Sequence, residues 1–298
     1  MNICWLNPKL FVIPTLIVLF ATGSVRAQGK GTAKEVRPTA REVAERAIVV
    51  NAAYSFRFHP HSGEKASKTA IRELENEQLR TLRWLQSTEL WSAANEWEQR
   101  VFESPVGSLT PKDLAMIQSQ RDELSALLFG LGIEEELSQS ARSRSNSRAV
   151  AVVPALGQSV DTFIAKASLR PVEELQRARD VADLWFLRAS VQERVDAESL
   201  PPPEHLDDMA EEIRENLLSI GLTPDPINDS RAFYHELIRF TAHWAHQENL
   251  APQPVHDDLP VDGRPYRSLD KTSRLVLATR AEERVKALNW LMGKASAP

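Results

Sequence analysis

Apolar residues recur along this chain at helical spacing, and capping residues bound the runs. No other feature limits the possible folds so strongly. Leu114, Ile117, Leu124, Leu127, Leu128 and Leu131 keep a 3.6-residue period. Thr110-Pro111-Lys112-Asp113 opens that run with a capping hydroxyl, a first-turn proline and an acid near the positive end of the helix dipole, and Gly132 offers a stop. Thr39-Ala-Arg-Glu42 reads as a capping box, and Val43, Ala47, Val50 and Tyr54 behind it predict a helix over 40–57. Ile71, Leu74, Leu82 and Leu85 mark a second helix, and Leu90, Trp91, Ala94 and Trp97 a third.

The same logic continues after residue 157. Val160, Phe163, Ile164 and Ala167 begin it, and Pro171 opens a helix carrying Leu175, Ala178, Ala182 and Trp185. Leu206, Met209, Ile213, Leu217 and Ile220 form a stripe ended by Gly221 and Pro224. Phe233, Leu237, Phe240 and Trp244 form another, and a final helix with Leu275, Val285, Leu288 and Leu291 stops at Gly293. The short run 150–153 has no second apolar run to pair with and reads as a buried segment leading into the next helix. The prediction is an all-α, irregular multi-helix globular fold with about eight to ten helices. It divides into an N-terminal helical half over 38–137, a Ser/Arg-rich linker over 138–157 and a C-terminal helical half over 158–293. Trp84, Trp91, Trp185 and Trp290 are placed where the halves meet.

The first residues carry a different signal. A front part ending at Lys9, an apolar stretch from Leu10 to Gly23 and Ser24-Val25-Arg26-Ala27 form the three-part pattern of a secretory signal peptide over 1–27, followed by a flexible segment over 28–37. At about 1.5 Å per residue the apolar stretch spans roughly 21 Å, short of the ~30 Å of a bilayer core. Cleavage after Ala27 and a periplasmic or extracellular location are therefore expected, with membrane contact only if the segment stays uncleaved. Cleavage would remove Cys4, the one cysteine, and leave 34 basic against 41 acidic side chains, a charge of −7. That excludes disulfides, a cysteine nucleophile and thiolate metal sites in the mature chain. The acidity gives no reason to expect a nucleic-acid partner.

Candidate chemistry is sparse. His235, His243 and His246 with Asp258 could bind zinc, since neutral imidazole and carboxylate are good ligands. However, Arg239 stands four residues after His235, where a zincin helix needs a second histidine. These residues are read first as structural, with a metal-dependent or other hydrolase as the alternative. His59-Pro60-His61 reads as surface loop. No phosphate loop, nucleophile elbow or paired-cysteine motif is found, so no cofactor is expected and the question of catalysis stays open. The leading expectation is a non-catalytic interaction or scaffold protein, its partner another protein.

Ala178 to Arg188, reading Ala-Arg-Asp-Val-Ala-Asp-Leu-Trp-Phe-Leu-Arg, and Arg280 to Gly293, reading Arg-Ala-Glu-Glu-Arg-Val-Lys-Ala-Leu-Asn-Trp-Leu-Met-Gly, resemble the domain-of-unknown-function family 4272. Ala44 to Val50, Trp84-Leu85, Pro105-Val-Gly107, Leu127 to Gly132 and Gly263 to Arg267 fit the same family. The resemblance implies a helical fold and no particular activity. Where the family favours a His-Trp pair, this chain has Phe186-Leu187, so a role for that histidine is not shared. At matching positions the resemblance singles out a candidate polar cluster of Trp185, Arg188, Asp258, Tyr266, Glu283, Arg284, Asn289 and Trp290. Within it, Arg188 is expected to pair with Glu283.

Overall fold

A computed structural model of the chain describes residues 36–55, 67–139, 147–197, 206–295 and 297–298. The expected signal peptide over 1–27, His59-Pro60-His61 and the heart of the Ser/Arg-rich stretch lie outside the described residues. Ten α-helices are present among the described residues: α1 Ala40–Ser55, α2 Lys68–Ser87, α3 Glu96–Glu103, α4 Pro111–Gly130, α5 Ser147–Val152, α6 Asp161–Ala165, α7 Val172–Asp196, α8 Leu206–Ser219, α9 Ser230–Gln247 and α10 Lys271–Leu291. A two-residue ladder, β1 Pro260–Val261 with β2 Arg264–Pro265, is the only sheet there. The fold is all-α. No helix among the described residues is long and apolar enough to cross a membrane.

The capping chemistry acts as its sequence suggests. Thr39 and Glu42 exchange hydrogen bonds at the start of α1, and Thr110 and Asp113 form a reciprocal box with Pro111 in the first turn of α4. Two expectations are revised. The third helix is split: Glu89 takes a left-handed φ of 61°, Leu90–Ala93 forms a single 3₁₀ turn, and Asn95 starts α3 through its own capping box with Glu98. The run 150–153 ends helix α5, and Val152 stays 56 % exposed while Val153 is buried. That short helix presents part of its apolar character to solvent.

The described residues fall in one compact unit. α4 packs against α1 on one side and α10 on the other, α10 lies along α7, and α9 bridges α7 and α8. Contacts this close need small side chains. Ala44, Ala47 and Ala53 on α1, Ala126 on α4 and Ala287 on α10 are buried in the main core, and Gly130 faces Leu291 so closely that a Cβ would sit 2.7 Å from Cδ1.

Burial collects in two clusters. The main one joins α1, α4, the start of α7 and the end of α10, with Trp84 inside it and Trp91 and Trp290 packed on it. The second holds Leu184, Trp185 and Ala189 of α7, Ala242 and Ala245 of α9, Leu259, Val261 and Tyr266, and Leu277 and Ala281 of α10. α7 and α10 run through both. The C-terminal helices thus complete the core that α1 and α4 begin, while Trp185 belongs to the second cluster, apart from the other three tryptophans.

Candidate functional site

On α7, Trp185, Arg188 and Gln192 stand three and four residues apart, so all three side chains share one helical face. That face meets the segment between α9 and α10, where two tight reversals bring Asp258 and Tyr266 together. His256 and Asp257 lie between the bridged residues Val255 and Asp258, both at positive φ. Asp262 and Gly263 connect β1 to β2, also at positive φ, the pattern of a two-residue hairpin turn.

The Arg188 guanidinium grips Asp258 with two parallel bonds, Nε to Oδ1 at 2.6 Å and Nη2 to Oδ2 at 2.9 Å. Both side chains are essentially sealed from solvent. The same carboxylate accepts the backbone N–H groups of Leu259 and Arg267, each at 2.8 Å. Below the guanidinium lies the Tyr266 ring, 4.6 Å from it to the centroid, and Trp185 tilts against that ring. Arg188 Nη2 also donates to Gln192 Oε1, Gln192 donates to Asp196, and Asp196 pairs with Arg274. The Tyr266 hydroxyl donates to the Arg274 carbonyl, and burial pushes its pKa up to about 12. Two arginines and two carboxylates balance one another. The arrangement fixes the α9–α10 segment against α7.

The structure therefore assembles Trp185, Arg188, Asp258 and Tyr266 and places the rest of the predicted cluster elsewhere. Glu283 bonds to Lys286 at 2.9 Å, so its expected pairing with Arg188 is not formed. The cause is rotation around α10: Leu277 and Ala281 face the second core, whereas Glu283 lies near Glu123. Trp290 packs on the main core, and Asn289 is partly buried, its carbonyl accepting the Lys294 N–H. Arg284 is buried, donates to the Ser138 carbonyl at 2.9 Å and lies 3.6 Å from Asp122, which Arg280 also holds. Burial pushes the Arg284 pKa down to about 10.

The candidate metal ligands are likewise dispersed. Asp258 is committed to Arg188, His243 Nε2 lies 2.8 Å from Asp257 Oδ1 at the surface, and His246 Nδ1 approaches the Ala251 carbonyl at 3.4 Å. Burial lowers the His235 pKa, and the nearby Arg267, Arg231 and Arg188 charges add to that. Among the described residues no group of three or more His, Cys, Asp or Glu side chains is arranged to hold a metal ion.

Sequence reasoning missed a second buried polar centre. Arg46, in the middle of the apolar face of α1, donates to Glu98 and to Glu123, while Gln120 donates to the other oxygen of Glu98. Its Nη2 and the Asn95 amide both donate to the Pro298 carbonyl, at 2.9 and 3.1 Å. Burial pushes the Glu123 pKa up to about 7; Arg46 opposes the shift and Glu98 adds to it. The available signal was a charge at a position that the helical period assigns to the core. Two clefts were also missed. One of about 430 Å³ lies beside α6, with Leu131, Ile133 and Phe163 as walls and Lys166 on its lining. Another of about 320 Å³ lies between α7 and α10, lined by Gln192 and Tyr266 with Lys271, Arg274 and Leu275.

The family model described as Domain of unknown function (DUF4272) matches residues 29–211, and the chain belongs to that family. The match takes in Arg46, Glu98, Glu123 and Arg188 and ends before Asp258. No curated protein and no solved structure matches the chain.

Proposed function

We propose that this member of the DUF4272 family is a non-catalytic interaction protein, exported by its N-terminal leader and acting through helical surface toward another protein. The observation that carries the reading is the Arg188–Asp258 pair. That pair uses both carboxylate oxygens on the guanidinium and on two backbone N–H groups, so its chemistry is spent on holding two elements together. The helical surface, by contrast, carries large apolar side chains in water: Leu275 and Leu218 are 62 % exposed and Val152 56 %.

The test is a photo-reactive residue placed singly at Val152, Leu218 and Leu275 in the full chain within the producing cells, with Arg41 as a charged-surface control. A discrete adduct at one apolar position and none at Arg41 supports the reading. Purified protein that carries stoichiometric zinc, and loses it in His243→Ala, would overturn it in favour of the metal-dependent hydrolase.

A further inference from the structure

Arg46 is 2 % exposed, yet one of its partners comes from outside the helical body. Its Nε donates to Glu123 at 2.9 Å and its Nη1 to Glu98 and the Ala93 carbonyl, so α3, α4 and the 3₁₀ turn fix the guanidinium in place. Nη2 lies 2.8 Å from the Glu123 carboxylate and also donates to the Pro298 carbonyl at 2.9 Å. Asn95 is held just as firmly. Its Oδ1 accepts the Glu98 N–H and its own N–H goes to the Glu98 carboxylate, both at 2.9 Å, leaving Nδ2 to donate to the same Pro298 oxygen at 3.1 Å. Those two are the only hydrogen bonds of 297–298 among the described residues, and Ala297 is exposed while Pro298 is half-buried.

Two immobile donors aimed at one oxygen make a preformed acceptor site. A buried guanidinium N–H needs a partner, so whatever takes the place of 297–298 must bring an acceptor. Proline has no N–H to give, and recognition of Pro298 therefore rests on its acyl oxygen. The same oxygen on a separate peptide offers the same two bonds. It competes at a disadvantage, set by the effective concentration of a segment tethered a few residues after α10. We propose that Arg46 and Asn95 form a receptor for a peptide acyl oxygen, filled in the resting chain by 297–298 as a displaceable strap. This assignment stands apart from the protein-interaction reading, which rests on other side chains.

The test compares the full chain with a chain shortened to end at Ser296. Each is titrated with N-acetyl-Ala-Pro, as the free acid and as the amide, and followed through the side-chain N–H NMR signals of Arg46 and Asn95. Shortening should shift both signals, and saturable binding of peptide should return them toward their full-chain positions. The full chain should bind more weakly, by about fivefold or more. A stronger free acid identifies a terminal carboxylate as the ligand, and an amide at least as strong identifies an internal carbonyl; both support the assignment. In the shortened chain Asn95→Ser keeps a helix-capping oxygen and lacks the amide donor, so binding read at Arg46 should weaken by about fivefold. A flexible Gly/Ser insertion after Ala295 keeps the acceptor in the chain and lowers its effective concentration, so it decides the question if the shortened chain does not fold. That chain should bind peptide more tightly than the full chain does. Absence of saturable binding to the altered chains, equal binding by full and altered chains, or an affinity unchanged in Asn95→Ser would overturn the assignment.

Discussion

Arg188 shows how much a single buried charge can organise, and why its removal is not a simple loss of attraction. In Arg188→Met, Asp258 would stay buried with two backbone N–H bonds and no counter-charge, a state that costs about 3–5 kcal/mol relative to the intact pair. Adding Asp258→Asn should recover part of that, because the charge is gone and the amide oxygen still accepts one of the two backbone N–H groups. Adding Asp258→Leu should recover less, since it leaves the N–H groups of Leu259 and Arg267 without an acceptor. Urea denaturation of the three variants measures the order, and equal recovery by Asn and Leu would show that the backbone bonds contribute little. Glu123 supplies the pH-dependent counterpart. The folded chain keeps a proton on it up to about pH 7, whereas an unfolded glutamate releases its proton near the ordinary value of 4.5. Between those limits the folded state binds more protons, so stability falls as pH rises, at up to about 1.4 kcal/mol per unit. Asp183, pushed up to about 6 by burial, adds in the same direction over the lower part of that window. Glu123→Gln should therefore flatten the stability profile between pH 4.5 and 7 and stabilise the protein at pH 8. A profile unchanged from wild type would show that Glu123 ionises normally.

Among the elements, the end of α10 is tightly constrained. Gly293 has a φ of +70°, and a Cβ there would lie 2.7 Å from the Arg37 backbone nitrogen. Arg37 in turn ties the helix end to α7's entry through bonds to the Leu291 and Arg170 carbonyls. Gly221 ends α8 with a similar φ of +81° but faces open space. Gly221→Ala should thus cost only the left-handed penalty, about 1–2 kcal/mol. Gly293→Ala adds the collision with a backbone that cannot rotate away, for a further 1–3 kcal/mol or so. Thermal unfolding of both variants separates the two contributions, and equal losses would mean that Arg37 yields. The same comparison explains why the stop signals were readable while the contact at one of them was not: glycine after an apolar period reports backbone conformation, and says nothing of what lies opposite.

At the scale of the whole molecule, α7 and α10 carry side chains into both cores, so neither cluster can lose its packing without removing a wall of the other. Unfolding monitored by tryptophan fluorescence should coincide with loss of helical circular dichroism in one transition. Two resolved transitions would mean that the clusters are independent. The sequence determined the all-α class, nearly every helix and the caps at Thr39 and Thr110, because periodicity and capping act between residues a few positions apart. The tertiary structure alone decided which helix face meets which. Arg188 found Asp258 rather than Glu283 because the two tight turns at 256–257 and 262–263 carry Asp258 back onto α7, while Glu283 rotates toward α4. Arg46 likewise gains meaning only when α3 and α4 bring Glu98 and Glu123 to it from more than fifty positions away. Such pairings depend on the relative rotation and closure of whole elements, a property that no local run of residues encodes.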